Sequence, residues 1–354
     1  MAPMKPILAI TMGDPTGVGP ETIAGAWSHS RLHTACHAVV LGHPKLMQRA
    51  LQVTGSPVEV IEVTSLDAVK SNSHEMPCLA CCDDHVLDLP PARVSPVAGQ
   101  AAFEAIRLAS ELALSRQVDG IVTAPINKAA FAAAGHRFPG HTELLAHLCR
   151  VQDVAMMLYL APGENVQGRV GLGVAHVTLH MAMRDAIDNL TQDRILKTSR
   201  LVDRVTRALS GSSADADPPR IGVCALNPHA GEDTLFGSEE QQTIRPAVER
   251  GLTEGLSLEG PIPADSLMPR AAAGEFDAIV AMYHDQGHIA LKLLAMYQAV
   301  NITLGLPVIR TSVAHGTAFD LAWKGQARSD AMIEAIDVAN RLVSRREHLT
   351  WHAP

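Results

Sequence analysis

The sequence has 354 residues, of which 47% are apolar and 19% are charged, so a large hydrophobic core is available. A chain of this length exceeds the usual size of a single core, and we therefore expect two domains. The formal net charge of −8 argues against a nucleic-acid or anionic-membrane partner. The first residues show neither a signal-peptide pattern nor a membrane span, so we expect a cytoplasmic protein.

Strand-like apolar runs alternate with helical patterns along the chain. The runs at 7–11, 37–42, 58–63 and 119–125 are rich in Val and Ile, and the segment 98–116 repeats its apolar residues at helical spacing. Strands that alternate with helices in this way favour a mostly parallel sheet covered by helices. The sequence therefore predicts an α/β fold.

A glycine-rich loop, TMGDPTGVGPE, follows the first predicted strand. Gly17 and Gly19 match the start of a dinucleotide-binding fingerprint, but Thr22 stands where its last glycine belongs. Pro20 fits the first turn of a helix. The loop is thus not a standard Rossmann fingerprint, and both phosphate contact and a simple tight turn stay open.

Three predicted strands, at 168–176, 219–229 and 276–285, each end in a histidine, namely His176, His229 and His284. Ligands in open α/β sheets bind beyond the carboxyl ends of the strands. Three imidazoles delivered there indicate one metal site with a position open for substrate. The alternative is three unrelated histidines that each bond to backbone.

Polar residues are also dense in four segments. FPGHTELLAH places His141 and Thr142 at the start of an apolar helix, where Thr142 is a candidate N-cap. GPIPADSLMP is interpreted as a loop, held by its prolines, that presents Asp265. The third segment, LNPHAGEDTLFGSEE, surrounds His229 with turn residues, and the fourth and longest runs from YHDQGHIALKLL through NITLGLPVIRTSVAHGTAFDLA.

Three of the six cysteines, Cys78, Cys81 and Cys82, lie close together in PCLACCDDH. A structural zinc site needs a second ligand pair at motif spacing, and the sequence has none. Ordinary thiols in a reducing compartment fit this cluster better.

The combination of these segments resembles the 4-hydroxythreonine-4-phosphate dehydrogenase family of pyridoxal-phosphate biosynthesis. The matching elements, from residue 13 to about residue 325, are GDPTGVGPE, GHTELL, LNPHAGE, PADS, MYHDQGH, NITLGLPVIRTS and HGTA. The first loop is also similar to that of isocitrate and isopropylmalate dehydrogenases. This likeness implies their two-domain α/β fold, in which NAD binds without a Rossmann fingerprint.

The resemblance implies a role for each matching residue. One divalent ion (Zn, Co, Mn, Ni or Mg) is expected on His176, His229 and His284, in a homodimer whose active site draws ligands from both subunits. The expected substrate-binding residues are His141, Thr142, Lys292, Asn301 and Arg310. The expected catalytic residues are Asp285, Lys292 and Asp265. The expected NAD or NADP contacts are Gly17, Gly19, His315, Gly316, Thr317 and Ala318.

The implied reaction oxidises and decarboxylates a 4-phosphorylated 3-hydroxy acid with NAD and a metal ion. The main expectation is conversion of 4-phosphohydroxy-L-threonine to 3-amino-2-oxopropyl phosphate, CO2 and NADH. FPGHTELLA, GHIALKLL and TAFDLAW resemble a branch that oxidises D-threonate or D-erythronate 4-phosphate to dihydroxyacetone phosphate. Further alternatives are a cis-dihydrodiol carboxylate dehydrogenase, which HVTLH resembles, and a metal-binding protein without enzymatic activity.

One departure from the family pattern is Ala314, where many relatives carry an acidic residue before the HGTA-like loop. It affects the expected nucleotide contacts and the choice between NAD and NADP, not the reaction class.

The predicted nucleotide-side domain comprises residues 1–135 and 305–354. Residues 136–304 are predicted to form the substrate, metal and dimerisation domain.

Overall fold

The computed structural model describes residues 5–66, 69–211 and 217–349. These parts divide into two compact units. The first unit runs to Gln152 and also includes Leu306–Ser344. The second unit comprises Asp153–Gly305 and the residues from Arg345 onward.

The strands and helices alternate for most of the chain, as the sequence predicts. The strands are β1 (Ile7–Thr11), β2 (His37–Gly42), β3 (Glu59–Val63), β4 (Glu75–Ala80), β5 (Gly120–Thr123), β6 (Ala155–Leu160), β7 (Leu172–His176), β8 (Ile221–Cys224), β9 (Leu258–Ile262), β10 (Ala278–Ala281), β11 (Val300–Leu304) and β12 (Ile309–Val313). The α-helices are α1 (Gly19–Trp27), α2 (Ser30–Ala35), α3 (Pro44–Val53), α4 (Pro96–Leu114), α5 (Lys128–Ala133), α6 (His141–Leu148), α7 (Met183–Asp188), α8 (Gln192–Ser210), α9 (Arg245–Thr253), α10 (Ala264–Ala272), α11 (His284–Ala295) and α12 (Asp330–Val343). Shorter 3-10 segments lie at Asp84–Asp88, Pro228–Gly231 and Arg346–Leu349, and a π-helical turn at Glu240–Ile244.

The first unit is built on parallel strands in the order β3-β4-β2-β1-β5-β12. Strands β5 and β12 are buried along their whole length, as apolar strands of a parallel sheet covered on both faces must be. Strand β3, at the edge, is largely exposed. Local capping fixes the helices: Asn127 accepts from the backbone N–H of Ala130 at 3.0 Å at the start of α5.

The second unit has the strand order β11-β6-β7-β10-β8-β9. Strand β6 runs antiparallel to both of its neighbours, β11 and β7, and the other pairs are parallel. Helix α11 begins at His284, three residues after β10 ends, and ends at Ala295. The parallel strands β7 and β10 therefore deliver His176 and His284 to the same edge of this sheet.

The predicted α/β class with a mostly parallel sheet is confirmed, but four local interpretations are wrong. His229 does not end a strand, because β8 stops at Cys224 and Pro228 then directs the chain into a turn. His284 does not end a strand either, because β10 stops at Ala281 and His284 is the first residue of α11. Asp265 lies in the first turn of α10, whose Leu267 and Ala271 are buried, and not in a loop. Thr142 is the second residue of α6, and Gly140 occupies the N-cap position.

The two units differ from the predicted domains in two segments, whereas the predicted boundary at 304/305 lies one residue from the observed one. Residues 136–152, which include His141 and Thr142, belong to the first unit, because α6 packs against α4. The segment from Arg345 onward belongs to the second unit, where Arg346–Leu349 packs against α8. In the described ranges, no helix combines the length and apolarity needed to cross a membrane.

Glu21, in the first turn of α1, anchors a distant loop of the first unit. Its fully buried carboxylate accepts hydrogen bonds from the backbone N–H groups of Trp323 and Gly325, the latter at 2.7 Å. The indole N–H of Trp323 also donates to the carbonyl of Pro15 at 3.0 Å. The loop that follows β12 is thereby tied to the glycine-rich loop and to the start of α1.

We expect Glu21→Gln to lower the free energy of unfolding by about 1–3 kcal/mol, because a buried N–H donor would face an amide N–H instead of an oxygen. Denaturant unfolding of the purified variant measures the change. Glu59→Gln is the matched control, since Glu59 lies exposed on β3. Equal stability of the two variants would contradict this role of Glu21.

Candidate active site

His176 is held so that one ring nitrogen presents a lone pair. The residue ends β7 and is 1% exposed. Its Nδ1 lies 3.2 Å from the carbonyl oxygen of Met156 on β6, an atom that only accepts. Nδ1 therefore carries the hydrogen, and Nε2 carries the lone pair that a metal ligand needs.

His284 is prepared in the same way by its neighbour in sequence. Its Nδ1 lies 2.7 Å from Oδ1 of Asp285, so this carboxylate orients the ring and leaves Nε2 as the available nitrogen. The ring centroids of His284 and His176 are 6.0 Å apart. An aspartate next to a ligand histidine can act as a general base or can orient the histidine ring. The geometry supports the orienting role for Asp285.

His288 lies between these two imidazoles. Its ring stacks on that of His284 with centroids 3.7 Å apart and planes 12° apart, as side chains one helical turn apart on α11 can do. Its Nδ1 lies 3.1 Å from Nε2 of His176. A Cβ on Gly287 would lie 2.6 Å from the same Nε2, so only glycine permits this approach of the helix.

The buried imidazoles of this cluster are neutral at pH 7. Burial lowers the pKa of His176 to about 4 and that of His288 to about 2, and the neighbouring imidazoles act in the same direction. A fourth ring, His180, has its centroid 5.8 Å from that of His284. Neutral imidazoles keep their lone pairs, which is the state that binds metal ions.

His229 is exposed and its ring lies next to Phe236, with centroids 6.3 Å apart. Its backbone is left-handed, with φ at 51°, and the left-handed conformation continues through Thr234. Over the ranges that the structure covers, no three His, Cys, Asp or Glu side chains within one chain are grouped to hold a metal. His176 and His284 are thus brought together, and His229 is not grouped with them.

The other predicted residues of the second unit fall into two groups. Lys292 is half-buried on α11, one turn beyond His288, and its charge contributes to the low pKa of that imidazole. Asn301 on β11 has a buried Oδ1 without a hydrogen-bond partner in the described residues. Asp265 is exposed on α10. The first two have the burial expected of substrate contacts, whereas Asp265 faces solvent.

In the first unit, Arg310 on β12 is a buried cation. It is 1% exposed and donates from one terminal nitrogen to Oγ1 of Thr123 at 2.5 Å. Burial lowers its pKa to about 9, and the charge of Glu143 opposes this effect. The guanidinium therefore stays charged at pH 7, and a guanidinium cation is suited to binding an anion.

His141 and Thr142, at the start of α6, belong to the same group of residues. Burial lowers the pKa of His141 well below its usual value, and the charges of Arg310 and Lys128 act in the same direction. Its buried Nε2 has no hydrogen-bond partner within the described ranges, and Thr142 is 5% exposed. A neutral imidazole with a free nitrogen near two cations is suited to an anionic ligand.

The two segments predicted to contact the nucleotide touch each other in the first unit. The backbone N–H of Val18 donates to the carbonyl of Thr317 at 3.0 Å. A Cβ on Gly17 would lie 2.9 Å from Cβ of Thr317, and one on Gly19 would lie 2.5 Å from the carbonyl oxygen of Met12. Close packing therefore requires glycine at both positions. This favours the tight turn, one of the two interpretations that the sequence leaves open for this loop.

The rest of the second loop lies beside this contact. His315 Nδ1 donates to the carbonyl of Gly316 at 2.9 Å, and Ala318 adopts a left-handed φ of 40°. Gly316 is exposed and has open space around it. The predicted cofactor residues therefore come from two loops that pack together, with Gly17 and Gly19 buried and Gly316 exposed at their surface.

Sequence reasoning missed several residues of these groups. They are Asp14, Thr123, Gly287 and His288. Asp14 is 1% exposed, burial raises its pKa, and its Oδ2 has no hydrogen-bond partner in the described residues. The spacing of His288, four residues after His284, was the one signal that the sequence offered.

The cysteine cluster lies beside a separate cavity of about 640 Å³ in the first unit, lined partly by Cys81 and Cys82. Burial raises the pKa of the Cys78 thiol, and a hydrogen bond with Cys82 together with burial raises that of Cys81. These two thiols are protonated at neutral pH, and the thiolate, not the thiol, is the nucleophile.

An α/β protein with a cluster of neutral imidazoles in one unit and a buried guanidinium group in the other is typical of an enzyme for small anionic substrates. The profile of the family described as pyridoxal phosphate biosynthetic protein PdxA matches residues 34–339. The chain belongs to this family. The predicted resemblance and the predicted class of oxidoreductase are confirmed.

Relatives of two names match nearly the whole chain. A 4-hydroxythreonine-4-phosphate dehydrogenase of Trichlorobacter lovleyi is 44% identical over 97% of this chain and 99% of its own. A D-threonate 4-phosphate dehydrogenase of Cupriavidus necator is 43% identical over 98% of this chain and 100% of its own. A crystal structure of 4-hydroxythreonine-4-phosphate dehydrogenase from Klebsiella pneumoniae, 40% identical, covers 96% of this chain and 100% of its own with a TM-score of 0.82.

Proposed function

We propose that this chain is an NAD- or NADP-dependent, divalent-metal-dependent dehydrogenase that oxidises and decarboxylates a 4-phosphorylated 3-hydroxy acid in the cytoplasm. The observation that carries the substrate class is the buried, charged Arg310 in the same group as His141. A phosphate is the kind of anion that a guanidinium binds through charge-assisted hydrogen bonds, and the imidazole of His141 would contact the same anion. The names of the two relatives agree with such a substrate.

The residues of the first unit would bind the phosphate by three different interactions. Arg310 supplies planar N–H donors for bidentate contact, which a lysine cannot replace. His141 offers an unpaired ring nitrogen, and Thr142 offers a hydroxyl at the start of a helix, where backbone N–H groups favour anions.

The imidazole cluster of the second unit fits a divalent ion, because the Nδ1 of His176 and that of His284 are each anchored and leave Nε2 as the nitrogen available to a metal. When bound, such an ion polarises a hydroxyl or carbonyl oxygen as a Lewis acid. Lys292 would add a fixed positive charge for the substrate carboxylate, and Asn301 a buried acceptor for a hydroxyl. Asp285 would hold the ring of His284 in place.

The nicotinamide cofactor is assigned to the surface made by Gly17, Gly19 and the loop from His315 to Ala318. The hydrogen bond between Val18 and Thr317 supports this assignment, because it joins both loops into one surface. Glu21 stabilises the same surface from behind.

Three substrates of two kinds are compared, since relatives of both names match at 43–44% identity. The main proposal is 4-phosphohydroxy-L-threonine, and the alternative is D-threonate or D-erythronate 4-phosphate. The deciding experiment measures NADH formation with each phosphate and with added Zn²⁺, Co²⁺, Mn²⁺, Ni²⁺ or Mg²⁺. The proposal fails if none of the three compounds reduces NAD or NADP above the rate without substrate.

Removing a residue that hydrogen-bonds to a metal ligand typically lowers metal affinity by roughly 10–100-fold, and we expect a loss of this size for Asp285→Asn. His284→Ala removes a proposed ligand itself, so its loss of metal affinity should be larger. The same large loss is expected for His176→Ala. Metal content after dialysis and chelator competition measure the effect. His74→Ala is the control, because His74 is exposed in the first unit. Full metal content in His176→Ala would refute the proposed ligand.

Arg310→Ala should lower kcat/KM for the phosphorylated substrate, because a buried charged contact is lost. The lowering should correspond to a loss of about 2–5 kcal/mol of transition-state stabilisation. Arg310→Lys should recover part of this loss. Arg200→Ala serves as control, because Arg200 forms a surface ion pair with Glu254. If the unphosphorylated acid shows an equal loss, Arg310 does not bind the phosphate, and a dihydrodiol substrate gains support.

The assembly proposed for the chain is a homodimer with a metal site shared between subunits. Helix α11 carries exposed apolar side chains on its outer side and just beyond its end, with Leu293 82% exposed and Ile289 58% exposed. Met296 and Tyr297 are each 53% exposed and continue the same patch. A second copy that covers this patch would bury apolar surface next to His284. We assign the ligand from across the boundary to His229.

Mixing His229→Ala with His176→Ala subunits should restore roughly a quarter of wild-type activity, since each hybrid dimer would hold one intact site. Mixing His176→Ala with His284→Ala should restore nothing, because these two rings lie in one subunit. Activity assays after joint refolding make the comparison, with sedimentation as a check on the dimer. An active monomer would refute the assembly.

A further inference from the structure

His288 hydrogen-bonds to Nε2 of His176, the nitrogen to which the proposed metal ion would bind. The Nδ1 of His176 bonds to the carbonyl of Met156 and must carry the hydrogen, so its Nε2 can only accept. The Nδ1 of His288, 3.1 Å away, must then be the donor. The tautomer of both rings follows from one backbone carbonyl.

A lone pair on a ring nitrogen can accept a hydrogen or bind a metal ion, but not both. A metal ion at Nε2 of His176 therefore requires that the N–H of His288 withdraws. Nothing else competes for this atom from the helix side, since Gly287 has no side chain and a Cβ there would collide with Nε2 at 2.6 Å. Because α11 approaches so closely, His288 is the hydrogen-bond partner of Nε2 of His176.

We propose that His288 is a positioning residue that satisfies the His176 ligand nitrogen in the metal-free enzyme and is displaced when the metal binds. The stacking of His288 on His284, at 3.7 Å, keeps the second ligand ring in place at the same time. His288 thereby preserves the arrangement of both rings without metal, and its hydrogen bond competes with the ion. This inference rests on the metal site of the proposed function.

The competition has a direction that can be measured. His288→Phe keeps a flat ring to stack on His284 but has no N–H to donate. Because the metal no longer displaces a hydrogen bond of ordinary strength, Zn²⁺ and Co²⁺ should bind roughly three- to tenfold more tightly than to wild type. His288→Gln, which retains an N–H donor, should return the affinity towards the wild-type value.

The experiment is a chelator competition titration of the full-length protein with Zn²⁺ and with Co²⁺, for wild type and both variants. His180→Phe is the matched control, since it removes another imidazole of the cluster, one whose ring lies next to His284. It should not reproduce the tighter binding. Thermal unfolding of each metal-free variant establishes that it is folded, and the absorption spectrum of bound Co²⁺ reports the coordination.

The outcomes separate clearly. Tighter binding to His288→Phe with an unchanged Co²⁺ spectrum, and reversal in His288→Gln, is the expected result. A loss of affinity of about 100-fold or more with a changed spectrum would make His288 a ligand and overturn the proposal. Equal affinity of all variants would also overturn it. If wild type itself binds neither ion, the metal site of the proposed function fails instead.

Discussion

The contact between the Nδ1 of His176 and the carbonyl of Met156 sets the chemistry of the second unit. It exists because β6 and β7 are antiparallel neighbours in one sheet. With this hydrogen fixed, the remaining nitrogen of His176 must accept, and the tautomer of His288 follows. A single backbone acceptor thus determines which ring atoms are available for a ligand, before any ligand is present.

The first unit meets a different requirement, the burial of a positive charge. Arg310 lies at 1% exposure in a fully buried strand, where it donates to the hydroxyl of Thr123 and lies within the electrostatic influence of Glu143. Burying a charged guanidinium is costly unless its charge is compensated. Such a buried charge is expected at a binding site for an anion. The Nε2 of His141, which has no hydrogen-bond partner in the described residues, belongs to the same group.

The sequence predicted what depends on local pattern. The strands and helices of the α/β fold followed from apolar periodicity, and His176 and His284 followed from their places after buried strands. The position of His288 depends on how closely α11 approaches β7, and only the absence of a side chain at Gly287 permits that approach. The turn after Cys224 and the helical setting of Asp265 depend on backbone conformations that residue types alone do not specify. The boundary after Gln152 depends on the packing of α6.

The left-handed segment from His229 to Thr234 has a consequence for the tolerance of this chain to change. Most of its residues are not glycine, and each such residue in this conformation costs about 1–2 kcal/mol relative to the right-handed form. The carboxylate of Glu240 holds the chain just before it, through the backbone N–H groups of Leu226 and Asn227 at 2.8 and 2.7 Å. β-Branched residues are disfavoured in this conformation by sterics, and Thr234 is the one that this stretch contains, so sequence variation here among natural homologues should be narrower than the exposure of the segment implies.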